Sequence, residues 1–91
     1  MAPIPVVLAY TIAMSYAEFE EFMDLTGLLC PLPVLKARKR LESMPSGHVL
    51  KVLASDPVSA IDMPHFCNEQ GHVLLTNAKQ GDVFTFRIKR K

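Results

Sequence analysis

Residues 25–42 read LTGLLCPLPVLKARKRLE. One cysteine is wedged here between an apolar turn and two prolines, just ahead of a basic amphipathic run. Gly27 suits the tight turn that a chain needs between a strand and a helix. Cys30 then takes the N-cap and Pro31 the first helical position, where a missing N–H breaks no intrahelical bond and the fixed φ is already helical. Pro33 remains in the first turn and is tolerated for the same reason. Val34, Ala37, Leu41 and Met44 recur at helical spacing and face a core, which leaves Lys36, Lys39 and Arg40 outward. Pro45-Ser46-Gly47 stops the helix.

Working outward, Met23 to Leu25 is a short strand ahead of this turn. His48 to Ala54 is apolar apart from Lys51, as expected of a strand internal to a sheet. Asp56 before Pro57 repeats the cap-then-proline signal, and Asp62-Met63-Pro64 restarts it. The spacing therefore predicts a broken helix from Pro57 to Gln70, jointed at Pro64 and closed by Gly71. Val73 to Ala78 is a third strand, Lys79-Gln80-Gly81-Asp82 a hairpin turn, and Val83 to Lys89 a fourth strand with Phe84, Phe86 and Ile88 inward. The order is βαβαββ. It specifies an α+β fold, a two-layer α/β sandwich whose four-stranded mixed sheet carries two helices on one face and whose first two strands are parallel.

Composition agrees with one small domain: 91 residues, 49% hydrophobic, 8% aromatic and no Trp, hence a mainly aliphatic core and not a disordered chain. Net charge is only +1 but unevenly spread, because residues 1–35 contain acids and no base. Lys36, Arg38, Lys39 and Arg40 form one basic cluster, and Arg87, Lys89, Arg90 and Lys91 a second. Taken alone, each reads as a solvated helix face or a solubilising tail; together they allow an anionic partner. Two cysteines are too few for a disulfide scaffold and favour a reducing, cytoplasmic setting.

Residues 1–17, MAPIPVVLAYTIAMSYA, are uncharged. Pro3, Pro5, Thr11 and Ser15 break the run short of the roughly 20 apolar residues of a membrane helix, and no basic segment precedes it as in a secretory signal. Residues 1–22 are expected to be an apolar extension of unassigned role, an added strand or helix or the product of an upstream start, with residues 23–91 forming the domain proper. No membrane partner is expected.

The first strand leads into Cys30 and the second into Asp56. In open α/β sheets ligands gather beyond the carboxyl ends of parallel strands, so these two residues are candidates for one site. At a helix N-terminus, near Lys36 or Arg38, the thiolate of Cys30 is favoured, while Asp56 opposes it and the two prolines remove N–H donors from the first turn. The expectation is an exposed nucleophile with a moderately lowered pKa. The pattern is not CxxC, so no resolving thiol is built in. A lone exposed thiol can instead accept sulfane sulfur as a persulfide and yield it to a second nucleophile, with no cofactor. Cys67, mid-helix beside Phe66, reads as a structural thiol. His65, Cys67 and His72 fit no common zinc spacing, and no metal is expected.

Gly27-Leu28-Leu29-Cys30-Pro31-Leu32-Pro33, the basic helix after it, Ser55-Asp56-Pro57, Asp62-Met63-Pro64-His65-Phe66-Cys67, Gly71-His72 and the closing Phe84-Thr85-Phe86-Arg87-Ile88-Lys89 resemble the TusA (SirA-like) family of sulfur carriers, over roughly Met23 to Lys91. The resemblance implies that Cys30 is the active cysteine, loaded by a cysteine desulfurase or a rhodanese-type donor. It further implies a downstream sulfur-relay protein as acceptor, serving tRNA thiolation, cofactor synthesis or sulfur oxidation, with tRNA only an indirect partner. Pro31 and Pro33 match its motif prolines, with Gly27 also a positioning residue, and Asp56 matches a polar position beside the thiol, where it could also orient a partner's cation. Separately from the resemblance, docking on a protein partner would have Lys36, Arg38 and Lys39 grip an acidic surface around the thiol. The rival expectation is a nucleic-acid-binding or regulatory module that uses the basic helix and tail.

Overall fold

The computed structural model describes residues 20–91; most of the extension expected over residues 1–22 lies outside them. Its elements are β1 (Glu20–Asp24), α1 (Leu32–Glu42), β2 (Val49–Ala54), α2 (Ser59–Gln70), β3 (Val73–Gln80) and β4 (Val83–Lys89). The sheet runs β1-β2-β4-β3, with β1 parallel to β2 and the other two pairings antiparallel. The expected α+β fold, βαβαββ with four strands in a mixed sheet, is therefore the observed one.

The core lies on one face of the sheet. Leu50, Val52 and Ala54 of β2 stand opposite Ile88, Phe86 and Phe84 of β4, and all six are buried. Ala37, Leu41 and Met44 pack on them from α1 and the turn after it, and Met63, Phe66 and Cys67 from α2. The period of two on the strands and of 3.6 on the helices thus meet in one apolar layer. No helix among the described residues is long and apolar enough to cross a membrane.

Several details differ from the sequence reading. β1 already includes Glu20, Glu21 and Phe22 ahead of the expected Met23, and both glutamates have cationic partners: Glu20 accepts from Arg87 Nη2 at 2.6 Å, and Glu21 from Arg40 Nε at 2.7 Å. Helix α1 begins at Leu32 with Pro31 at its N-cap, so Cys30 lies just outside it. Helix α2 runs through Pro64 without a joint. Proline removes one helical hydrogen bond there, but Met63 on one side and Phe66 and Cys67 on the other are anchored in the same core. β3 continues to Gln80, leaving Gly81-Asp82 as a two-residue turn, with a register shift between Leu74 and Thr76.

Candidate functional site

The carboxyl ends of the parallel strands β1 and β2 open onto one rim. After β1, Asp24 Oδ1 accepts hydrogen bonds from the Thr26 N–H (3.0 Å) and hydroxyl (2.6 Å), which fold the chain back and hold the Asp24 carboxyl below its usual range. Gly27 follows with φ +85°, a left-handed conformation that side chains resist, and its N–H donates to Ser55 Oγ at 2.8 Å. The Leu25 N–H donates to the Leu53 carbonyl at 2.8 Å. This stitching brings the β1–α1 loop against the β2–α2 loop, and Cys30 arrives beside Asp56.

Asp56 is buried and holds both loops. Its Oδ2 accepts the Cys30 N–H, and its Oδ1 accepts the Val58 N–H at 3.1 Å. It is not the N-cap of α2: Val58 occupies that position, and Pro57, having no N–H, leaves Val58 as the first donor the carboxylate can reach. Pro33 is buried under the start of α1, while Pro31 is exposed at its cap, joined to Cys30 by a cis peptide bond. Cys30 and Asp56 therefore share one rim, as the topology led one to expect.

The Cys30 thiol is exposed, but the expectation of a lowered pKa is reversed. Its Sγ–H donates to Asp62 Oδ2 at 3.1 Å. That hydrogen bond, some desolvation, and the negative charges of Asp62 and then Asp56 raise the thiol above its ordinary value. The dipole argument fails because Cys30 precedes the N-cap and faces carboxylates, and no cation is among the groups that shift it. Asp62 is the residue the sequence reading missed. In the sequence it marks a helix start and belongs to a stretch that carries the family resemblance, but nothing local reveals that the first turn of α2 passes over the thiol.

The basic trio divides. Lys36 and Lys39 line an open recess of about 300 Å³ with Met23, between α1 and β1. Arg38 lines a separate groove of about 210 Å³ between α1 and α2, with Pro31 and Asp62. Several cations are engaged within the fold: Arg40 with Glu21, Arg38 with Glu42 at 3.4 Å, Arg87 with Glu20, and Arg90 Nε with the Leu41 carbonyl at 2.7 Å. Beyond the two carboxylates, the segments that carry the site, residues 29–35 and 58–61, hold exposed apolar side chains. Leu29 (70% exposed), Leu32, Leu35, Val58 and Ile61 (73% exposed) all present side chains to solvent. Their signal was in the sequence, since Leu32 and Leu35 fall off the Val34-Ala37-Leu41 face of α1.

Cys67 is buried, and burial pushes its thiol up to about 11, consistent with a packing role. His65 Nε2 lies 3.4 Å from Glu69, and His72 Nδ1 accepts the Lys91 N–H at 3.2 Å. Among the described residues no three His, Cys, Asp or Glu side chains gather as a ligand set.

Comparison with known proteins converges on one family. The family model described as "Sulfurtransferase TusA" matches residues 21–90. A relative from Neisseria meningitidis serogroup A is 48% identical over 71 residues, 78% of this chain and 96% of its own. The sulfur carrier protein TusA of Allochromatium vinosum is 43% identical over 74 residues, 81% of this chain and 97% of its own. Among solved structures, the crystal structure of the SirA-like protein of Desulfitobacterium hafniense superposes with a TM-score of 0.66 at 27% identity, covering 75% of this chain and 93% of that one.

Proposed function

The chain belongs to the TusA sulfurtransferase family and is a sulfur carrier, and we propose that it carries its sulfur on Cys30 as a persulfide. One observation supports this assignment above others: of the two thiols, Cys30 is exposed on the rim and Cys67 is buried in the core. A carrier must present its sulfur to two different proteins in turn, which a core thiol cannot do.

The exchange needs no cofactor. Cys30 Sγ attacks the terminal sulfur of a donor persulfide, R–S–S⁻; the donor S–S bond breaks, a Sγ–S bond forms, and R–S leaves with the proton that Cys30 gives up. Charge and electrons balance within the pair of sulfur compounds. The reverse step, with an acceptor thiolate attacking the terminal sulfur, unloads the carrier. The donor on this reading is a cysteine desulfurase or a rhodanese-type protein, and the acceptor a further sulfur-relay protein. Gly27, Pro31, Pro33 and Asp56 fix the loop that presents the thiol. The exposed apolar side chains of Leu29, Leu32, Leu35, Val58 and Ile61 form the contact surface, with Arg38 meeting acidic groups from the groove beside Asp62 and Lys36 and Lys39 from the recess on the β1 side of α1.

The test is intact-mass analysis after incubation with a desulfurase and cysteine, or with a rhodanese and thiosulfate. A gain of one sulfur, about 32 Da, that is lost in Cys30→Ser and retained in Cys67→Ser supports the assignment. Loading that survives Cys30→Ser overturns it.

A further inference from the structure

Asp62 belongs to α2, yet it is the side chain that touches the reactive atom: its Oδ2 lies 3.1 Å from Cys30 Sγ. Asp56 is engaged with the backbone instead, each of its carboxylate oxygens accepting one N–H, and the thiol's hydrogen bond goes to Asp62. The other ionisable side chains along the Asp62 groove are Arg38 from α1 and His65 and Glu69 from α2. Arg38 bonds to Glu42, and His65 lies against Glu69. The negative charge of Asp62 is therefore directed at the sulfur.

We propose that Asp62 biases the carrier toward discharge, by stabilising the unloaded thiol and destabilising the loaded persulfide. The proposal rests on Cys30 being the sulfur-bearing residue. In the unloaded state Sγ–H donates to a carboxylate, the stronger kind of hydrogen bond. Loading converts R–S–S⁻ and Cys30–SH into R–SH and Cys30–S–S⁻, so the Sγ proton leaves with the donor thiol and the hydrogen bond loses its donor. A persulfide is also a stronger acid than its parent thiol, so the new terminal sulfur is the anion. It sits one bond from an atom already in contact with Asp62 and near Asp56, and like charges repel. Both changes oppose loading and favour transfer onward. Pairing in the empty state and repulsion in the full one make the carrier a relay and a poor store of sulfur.

The experiment equilibrates the full chain with fixed ratios of glutathione persulfide to glutathione and reads the loaded fraction by intact mass, for wild type, Asp62→Asn, Asp62→Ala and Asp62→Glu. Alkylation rate against pH is measured alongside, with circular dichroism to verify folding. In the Asn and Ala variants the loaded-to-unloaded ratio should rise roughly two- to fivefold, the scale of one exposed charge interaction. Their alkylation midpoint should move to lower pH, and Asp62→Glu should stay near wild type on both readouts. A ratio in the Asn and Ala variants equal to or below wild type overturns the proposal even if the alkylation midpoint moves. If wild type does not load on Cys30 at all, the assignment of Cys30 fails and the proposal with it; loading on Cys30 with an unchanged ratio removes the proposal alone.

Discussion

Replacing Asp56 should cost the fold more than any other single change on the rim. The side chain is 8% exposed and ties two loops 26 residues apart in sequence, through the Cys30 N–H and the Val58 N–H. Asp56→Ala removes both acceptors and leaves two N–H groups in a partly buried turn. A hydrogen bond to a charged group contributes ~1.5–3 kcal/mol when desolvated. Both sites are only partly buried, so roughly 1 kcal/mol each, ~2 kcal/mol in total, is the consistent figure. Asp56→Asn keeps one carbonyl oxygen and can satisfy one N–H, so it should lose about half of that. For a domain of this size ~2 kcal/mol lowers Tm by roughly 8–16 °C. Urea titration and thermal melts followed by far-ultraviolet circular dichroism measure it, with sulfur loading assayed on the same samples at a temperature where each variant is folded. An Asp56→Ala protein within about 0.5 kcal/mol of wild type would refute the tie between the loops. An Asn variant that is less stable yet loads at the wild-type rate would confine Asp56 to structure and exclude a role in orienting partners.

Further outcomes follow from the same geometry. Ile61→Asp, at 73% exposure, should leave the melting curve within error of wild type; it should slow sulfur transfer from a protein donor but not from a small persulfide, and equal slowing of both would exclude a docking role. Cys67 is the pH-sensitive group of the core: its thiol is raised to about 11 in the fold. A raised pKa favours the neutral form, so its contribution is complete below the unfolded thiol value near 8.5–9 and is lost as pH climbs to about 11. Denaturation of wild type and Cys67→Ala at pH 8 and at pH 10.5 should show the gap between them closing by about 2 kcal/mol, and a constant gap would contradict it. Gly27→Ala should cost about 1–2 kcal/mol through its left-handed backbone alone, because no atom lies within 4 Å of the added methyl; a chemical-denaturation midpoint unchanged from wild type would show that the turn does not require glycine.

The sheet and its core were legible because they depend on periodicities the chain states locally. Phe84, Phe86 and Ile88 alternate, Val34, Ala37 and Leu41 recur at helical spacing, and the parallel pairing of β1 with β2 follows from the helix between them. The ends of elements were less legible because long-range partners set them. Glu20 and Glu21 look like a polar boundary until Arg87 and Arg40 are seen to neutralise them. Pro64 looks like a break until the residues on both sides of it share a core. For the site, the convergence of Cys30 with Asp56 followed from topology, whereas the electrostatics of the thiol did not. A shift of the helix start by one residue moves Cys30 off the cap, and Asp62 reaches it from 32 residues away.

That reversal bears on where activation of the sulfur resides. An enzyme with a solvent-facing nucleophile lowers its pKa within its own fold; here the nearest charges are carboxylates and the thiol is held protonated. A free carrier so arranged reacts slowly with small electrophiles and oxidants, since the thiolate is the reactive form. On the proposed reading, reactivity is then gained in the complex: a partner seats on Leu29, Leu32, Leu35 and Ile61, and a cation it brings to Asp62 would release Sγ from its hydrogen bond. Specificity and activation would arise in one docking event. This leads to a last prediction: with a small persulfide donor Asp62→Asn should speed loading at neutral pH, whereas with the protein donor the gain should be smaller, because docking already neutralises Asp62. Stopped-flow loading rates for the two donors test it, and an equal gain with both would show that the partner leaves Asp62 untouched.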